Sequence, residues 1–198
     1  MCRYSTQVKI IMGKSRVNPM KRAEIRRYAM KMRKFLGYKN KDWVDVSKLF
    51  DSLSIVFDKA GLKFDYEVLL DDSIAFESNE EAYTDMSTGI IYIKESVIEQ
   101  ACGGSFKRGV FTLVHELGHY LLHFVQNKVK LTMVVENVKV PAYCDPEWQA
   151  DVFASEFLMP YEECINMCPK EIERLYHVSK KASEVRYDII QKEKKKMN

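Results

Sequence analysis

His115 and His119 stand four residues apart with Glu116 between them, in a stretch free of proline from 107 to 126. No other feature constrains the chain as strongly. On an α-helix, positions i and i+4 share a face, with Cβ atoms roughly 5–6 Å apart. Two imidazoles placed there can each bring a ring nitrogen to about 2.0–2.1 Å from one zinc ion. Glu116 follows the first histidine directly, so its carboxylate can flank the ion without binding it, where a general base for water belongs. Val110, Leu113, Val114, Leu117, Leu121, Leu122 and Val125 recur at helical spacing and predict a buried amphipathic helix. Gly118 costs such a helix up to about 1 kcal/mol against alanine. Its presence predicts the close approach of a neighbouring element, for instance a strand.

Two histidines leave the coordination incomplete. The long zinc-peptidase motif would need glycine at position 122 and histidine at 125, where this chain has Leu122 and Val125. His123 lies four residues beyond His119, but three ligands at i, i+4 and i+8 drift around a helix and converge poorly on one tetrahedral ion. A core or helix-cap role is expected for it. Glu147 is the better third ligand. Asp145 reads as an N-cap and Pro146 as the first helical residue, which places Glu147 and Asp151 on one face of a second helix. One carboxylate can bind zinc, and the other can accept the remaining ring N–H of a ligand histidine, fixing its tautomer. Glu147 is assigned to the metal and Asp151 to the histidine. An acidic first turn complementing the helix dipole would account for Glu147 alone. It would not account for Asp151 amid Ala150, Val152, Phe153 and Ala154.

Taken together, the run 111–119 containing the two histidines, the run 147–154, the later Leu158-Met159-Pro160, and His177-Val178-Ser179 followed by Arg186 resemble the ImmA/IrrE family of metallopeptidases. The resemblance covers residues from about 40 to 190. It implies an α+β zincin-like domain with helices on a small mixed or antiparallel sheet, and a Zn²⁺ ion bound by His115, His119 and Glu147. It also implies Glu116 as catalytic base. Such proteins often act on a helix-turn-helix transcriptional repressor encoded nearby, in mobile elements or stress circuits. The family commonly carries two arginines just before the Phe-Thr pair; Arg108 matches the first, and Val110 replaces the second.

With 198 residues and 46% hydrophobic content, the chain can bury one good core. The expected organisation is an N-terminal extension over 1–18 and a single metallopeptidase domain over 19–198, with a helical C-terminal segment from about 161. There is no apolar run near 18 residues to span a membrane and no apolar leader segment. The five cysteines (Cys2, Cys102, Cys144, Cys164, Cys168) are odd in number and irregularly spaced, which reads as reduced thiols in a cytoplasmic protein. Cys164 and Cys168, at i and i+4, form at most half of a metal site.

Residues 1–41 hold thirteen Lys/Arg against the single acid Glu24, about +12, leaving about −9 for the rest of the chain. Much of this excess falls on a helix after Asn18-Pro19, whose apolar stripe is Ile25, Tyr28, Ala29, Met32 and Leu36, with Arg22, Arg26, Arg27, Arg33 and Lys34 elsewhere around it. The two readings are a solvated or self-docked face and a patch for an acidic partner. Direct nucleic-acid binding is not expected, because no aromatic interleaving or known motif accompanies the charge.

Residues 44–60 predict a helix ended by Gly61, and 62–68 alternates as a strand. Residues 82–85 and 90–93 flank Met86-Ser87-Thr88-Gly89, a hairpin signal. An edge strand beside the metal could hold an extended peptide, and Ile90, Ile91, Tyr92 and Ile93 are the candidates. A peptidase also needs a second donor to the developing oxyanion; Tyr143, His177 and Arg108 are the candidates. The expected function is zinc-dependent hydrolysis of peptide bonds in a regulatory protein. The alternative is a metal-containing module that senses or sequesters a regulator without cleaving it, and the intact Glu116 favours the enzyme.

Overall fold

The computed structural model describes residues 15–102, 107–126, 132–133 and 140–197. Most of the expected N-terminal extension lies outside these residues. The described elements in order are β1 (Ser15–Arg16), α1 (Arg22–Phe35), α2 (Val46–Lys59), β2 (Asp65–Leu69), β3 (Ala82–Thr84), β4 (Ile90–Lys94), α3 (Glu95–Cys102), α4 (Lys107–His119), β5 (Thr132–Met133), α5 (Pro146–Leu158), α6 (Tyr161–Cys164), α7 (Pro169–Tyr176) and α8 (Lys180–Met197). The architecture is α+β, with helices packed around a small mixed sheet.

The hairpin predicted over 82–93 forms. Thr84 pairs with Ile91 and Ala82 with Ile93, and Gly89 at φ +77° closes the turn. The Asp85 carboxylate organises that turn by accepting from the Ser87 N–H and hydroxyl and from the Thr88 hydroxyl. β2 then adds in parallel to the other side of β4, giving the order β2-β4-β3. β4 is therefore the central strand, with Ile91 and Ile93 fully buried, and β3 is an outer strand. The second helix also follows the sequence reading. Asp45 caps α2 by accepting from the Lys48 N–H, and Gly61 at φ +72° follows its end.

The histidine-bearing segment is α4, which continues as a π-helical turn over Tyr120–Val125. The element that approaches Gly118 is α5, which corrects the expectation of a strand there. A Cβ on Gly118 would sit 3.1 Å from Phe153 Cδ1, 3.2 Å from Ala150 Cα and 3.3 Å from Ala150 O. The small residue lets two helix backbones approach, and so brings His115 and His119 against the start of α5.

α1 buries Ile25 and Ala29 as the stripe predicts. Arg33, counted in the sequence among the surrounding charges, is fully buried instead. Its guanidinium donates to the main-chain oxygens of Phe157, Lys39 and Asp42, the last at 2.7 Å. Arg22 and Arg26 pair with Glu193 at 3.3 and 2.7 Å, and Arg26 also reaches the buried Glu156 at 3.0 Å. Part of the basic helix is thus docked on the chain's own acids. Glu156 takes a bidentate pair from Arg186 at 2.6 and 3.0 Å, which joins α1, α5 and α8. The spacing of Cys164 and Cys168 does not place them on one helix, since α6 ends at Cys164 and Cys168 caps α7. Among the described residues no helix is long and apolar enough to cross a membrane.

Candidate metal centre

Helix α5 starts where the sequence predicts. The Asp145 carboxylate caps it by accepting from the Glu147 N–H at 3.0 Å, and Pro146 occupies the first turn. Gln149, buried beneath, donates to Asn18 O and Tyr143 O at 2.8 Å each and pins the segments that lead into the helix. Glu147 is thereby held over α4.

His115, His119 and Glu147 each offer one ligand atom, and these atoms lie within 4.8 Å of one another. The two Nε2 atoms are 2.9 Å apart; Glu147 Oε2 is 3.3 Å from His115 Nε2, and Glu147 Oε1 is 3.5 Å from His119 Nε2. Tetrahedral zinc with bonds of about 2.0–2.1 Å holds its ligand atoms roughly 3.3 Å apart, so the donors already stand near the required separation. The donor set also fits in its chemistry. Asp151 Oδ1 lies 2.9 Å from His115 Nδ1. A proton held there leaves the Nε2 lone pair facing the other donors. Two imidazole lone pairs and a carboxylate converging on one point require a cation between them. Without a metal, a proton takes that part. Burial works against charging His115, but the carboxylates of Asp151 and Glu147 outweigh it and raise its pKa to about 10. Burial would raise the pKa of Glu147, and the two histidines overcome this to hold it well below the usual carboxylate range.

Glu116 lies on the same helix and is nearly buried, at 7% exposure. The Thr84 hydroxyl on β3 donates to its Oε2 at 2.8 Å. His123 is outside the ligand group, as expected. Its Nε2 is 3.4 Å from Pro146 O, and desolvation, aided by His119, pushes its pKa down to about 3, so the ring is a neutral core group. Asp151 remains more than half exposed while holding His115.

A cavity of about 1430 Å³ opens over these residues. One side is β3 with the loop before it, including Ile74, Glu77 and Ala82 to Asp85; the other is α8 with the end of α5, including Val152, Met159, Val185 and Ile189. Ile90–Ile93 does not serve as the edge beside the site, because both sides of β4 are paired. β3 is the strand that lines the cavity. Tyr143 and His177 do not line it. Tyr143 is about half exposed, and His177 is the left-handed cap of α7, stacked on Trp43 at 4.8 Å. The Arg108 side chain lies outside the described residues. Sequence reasoning missed Thr84. A threonine two residues from Ala82 on a buried strand face needs a hydrogen-bond partner, and that was the available signal.

A family model described as the IrrE N-terminal-like domain, Peptidase_M78, matches residues 80–187. Among solved structures the chain is similar to a Mycobacterium tuberculosis transcriptional regulator, with 15% sequence identity and a TM-score of 0.48. That match covers 80% of this chain and 45% of the other, so the chain spans less than half the length of this solved relative. No curated protein matches the chain.

Proposed function

Because the chain belongs to the Peptidase_M78 family of the IrrE N-terminal-like domain, we propose that it is a zinc-dependent endopeptidase whose substrate is a regulatory protein such as a helix-turn-helix repressor. The observation that carries this reading is the convergence of His115, His119 and Glu147 beside a buried Glu116 at the floor of a large cleft. His115 and His119 through Nε2, and Glu147 through its carboxylate, would hold the ion, with Asp151 fixing the His115 tautomer. A zinc ion there supplies Lewis acidity, polarising the scissile carbonyl and easing loss of a proton from water. Glu116 accepts a proton from the attacking water as the oxygen–carbon bond forms, and returns it to the amide nitrogen as the carbon–nitrogen bond breaks. An extended substrate in the cleft runs beside β3, with the apolar side chains of α5 and α8 across from it. Four free cysteines among the described residues accord with a cytoplasmic setting.

Glu116→Gln tests the reading, since an amide cannot take the water's proton. The variant should keep its fold and metal and lose cleavage of a candidate regulatory protein, followed by mass spectrometry. Equal cleavage by variant and wild type would remove Glu116 from the base role.

A further inference from the structure

Glu116 has one hydrogen-bonding side-chain partner among the described residues, the Thr84 hydroxyl, which donates to Oε2 at 2.8 Å and lies 3.1 Å from the Glu116 main-chain oxygen. Thr84 and Glu116 are each 7% exposed. Helix α4 fixes where the Glu116 Cβ points but not the final torsion of the carboxylate, which is broad and roughly two-fold. A buried carboxylate is costly without a hydrogen bond, and a bond to an ionised acceptor is stronger than a neutral one. Thr84 is itself placed rigidly. It pairs with Ile91, and the next residue, Asp85, donates its N–H to Ile90 O at 2.9 Å. Ala82, sharing the same strand face, is equally buried and carries no polar group. The hydroxyl stands at the one point where β3 meets the carboxylate of α4.

We infer that Thr84 is a positioning residue for the general base: it ties Oε2 of Glu116 to the sheet and leaves Oε1 for the water. The strand that borders the substrate's path thus also orients the base. The catalytic consequence rests on the peptidase reading; the Thr84–Glu116 bond does not.

The test uses the full-length chain as wild type, Thr84→Val, Thr84→Ser and Glu116→Gln, each loaded with Zn²⁺ or Co²⁺ and assayed for metal content. Valine keeps the size and strand preference of threonine but cannot donate, and serine restores the donor. Thr84→Ala replaces the valine variant if that one fails to load metal. With a library of internally quenched peptides as probe, Thr84→Val should lower kcat about 10–100-fold, the usual effect of losing such a supporting partner, with KM little changed. Thr84→Ser should stay close to the wild type. Equal kcat for Thr84→Val and wild type overturns the inference and leaves the peptidase reading standing. If the wild type cleaves no peptide, the peptidase reading fails, and the visible spectrum of the Co²⁺-loaded protein decides on Thr84. The Thr84→Val spectrum should then depart from that of the wild type, and Thr84→Ser should match wild type. A Thr84→Val spectrum identical to wild type overturns the inference.

Discussion

At the residue scale, the site divides by how local its geometry is. His115 and His119 were legible because one helix fixes their relation, and so were Glu147 and Asp151. What joins the two pairs is the contact of α4 with α5, and Gly118 was its only sequence trace. For Thr84 the sequence signals only the need for some hydrogen-bond partner; which one is set by the helix that packs there. The two carboxylates of α5 should separate in their effects. Asp151→Asn is expected to weaken zinc binding roughly 10–100-fold by releasing the His115 ring, and Glu147→Gln should weaken it further by removing a ligand charge. Competition with a chromophoric chelator ranks them. Complete loss in Asp151→Asn with retention in Glu147→Gln would reverse the assignment. The raised pKa of His115, about 10, adds a pH dependence. Below that value the ring carries a proton that the ion must displace, so zinc affinity should fall about tenfold per pH unit as pH decreases. A flat profile between pH 8 and 6 would contradict the proton's place between the donors.

At the scale of elements, helix starts and the β3–β4 turn were written in local chemistry: Asp45, Asp145, Gly61, Gly89 and the Asp85 carboxylate. Strand order was not. Alternation along 90–93 marks a strand, and the hairpin names one neighbour. Nothing local says that β2 fills the other side of β4, so the sequence points to Ile90–Ile93 as the edge where the fold makes β3 the outer strand. The Gly118 contact gives the element-scale prediction. Gly118→Ala gains up to about 1 kcal/mol of helix propensity. Against this, the new methyl meets the backbone of Ala150, which can yield only by moving α5, and overpacking of this kind costs roughly 1–3 kcal/mol. The variant should be less stable in urea denaturation and bind zinc more weakly, because Glu147 rides on α5. A more stable variant with unchanged affinity would show that the helices are not held at their contact limit.

At the scale of the whole molecule, α1 and α8 are joined through α5. Arg26 from α1 and Arg186 from α8 meet on Glu156, with Arg26 stacked 3.8 Å over the Tyr161 ring. Composition showed the charge asymmetry between the basic start and the acidic remainder; only the fold shows which charges are buried. Glu156→Gln leaves the buried Arg186 guanidinium short of its counter-charge and Arg26 with Glu193 alone, and should cost about 3–5 kcal/mol, read by urea denaturation at neutral pH. Burial would raise the Glu156 pKa, but Arg186 and Arg26 hold it below its ordinary 4.5. Its stabilisation is therefore full above about pH 4.5 and is lost as pH falls through the lowered folded value. The variant should lose that acid-sensitive part of the stability curve; an unchanged curve would mean the triad contributes nothing to stability. Within this frame α4 and α5 bring the three donors of His115, His119 and Glu147 within 4.8 Å of one another. The most direct measurement is an anomalous-difference map at the zinc absorption edge from crystals grown with Zn²⁺. One strong peak is expected within bonding distance of His115 Nε2, His119 Nε2 and the Glu147 carboxylate. A map with no peak there, or with the ion held by other residues, would contradict it.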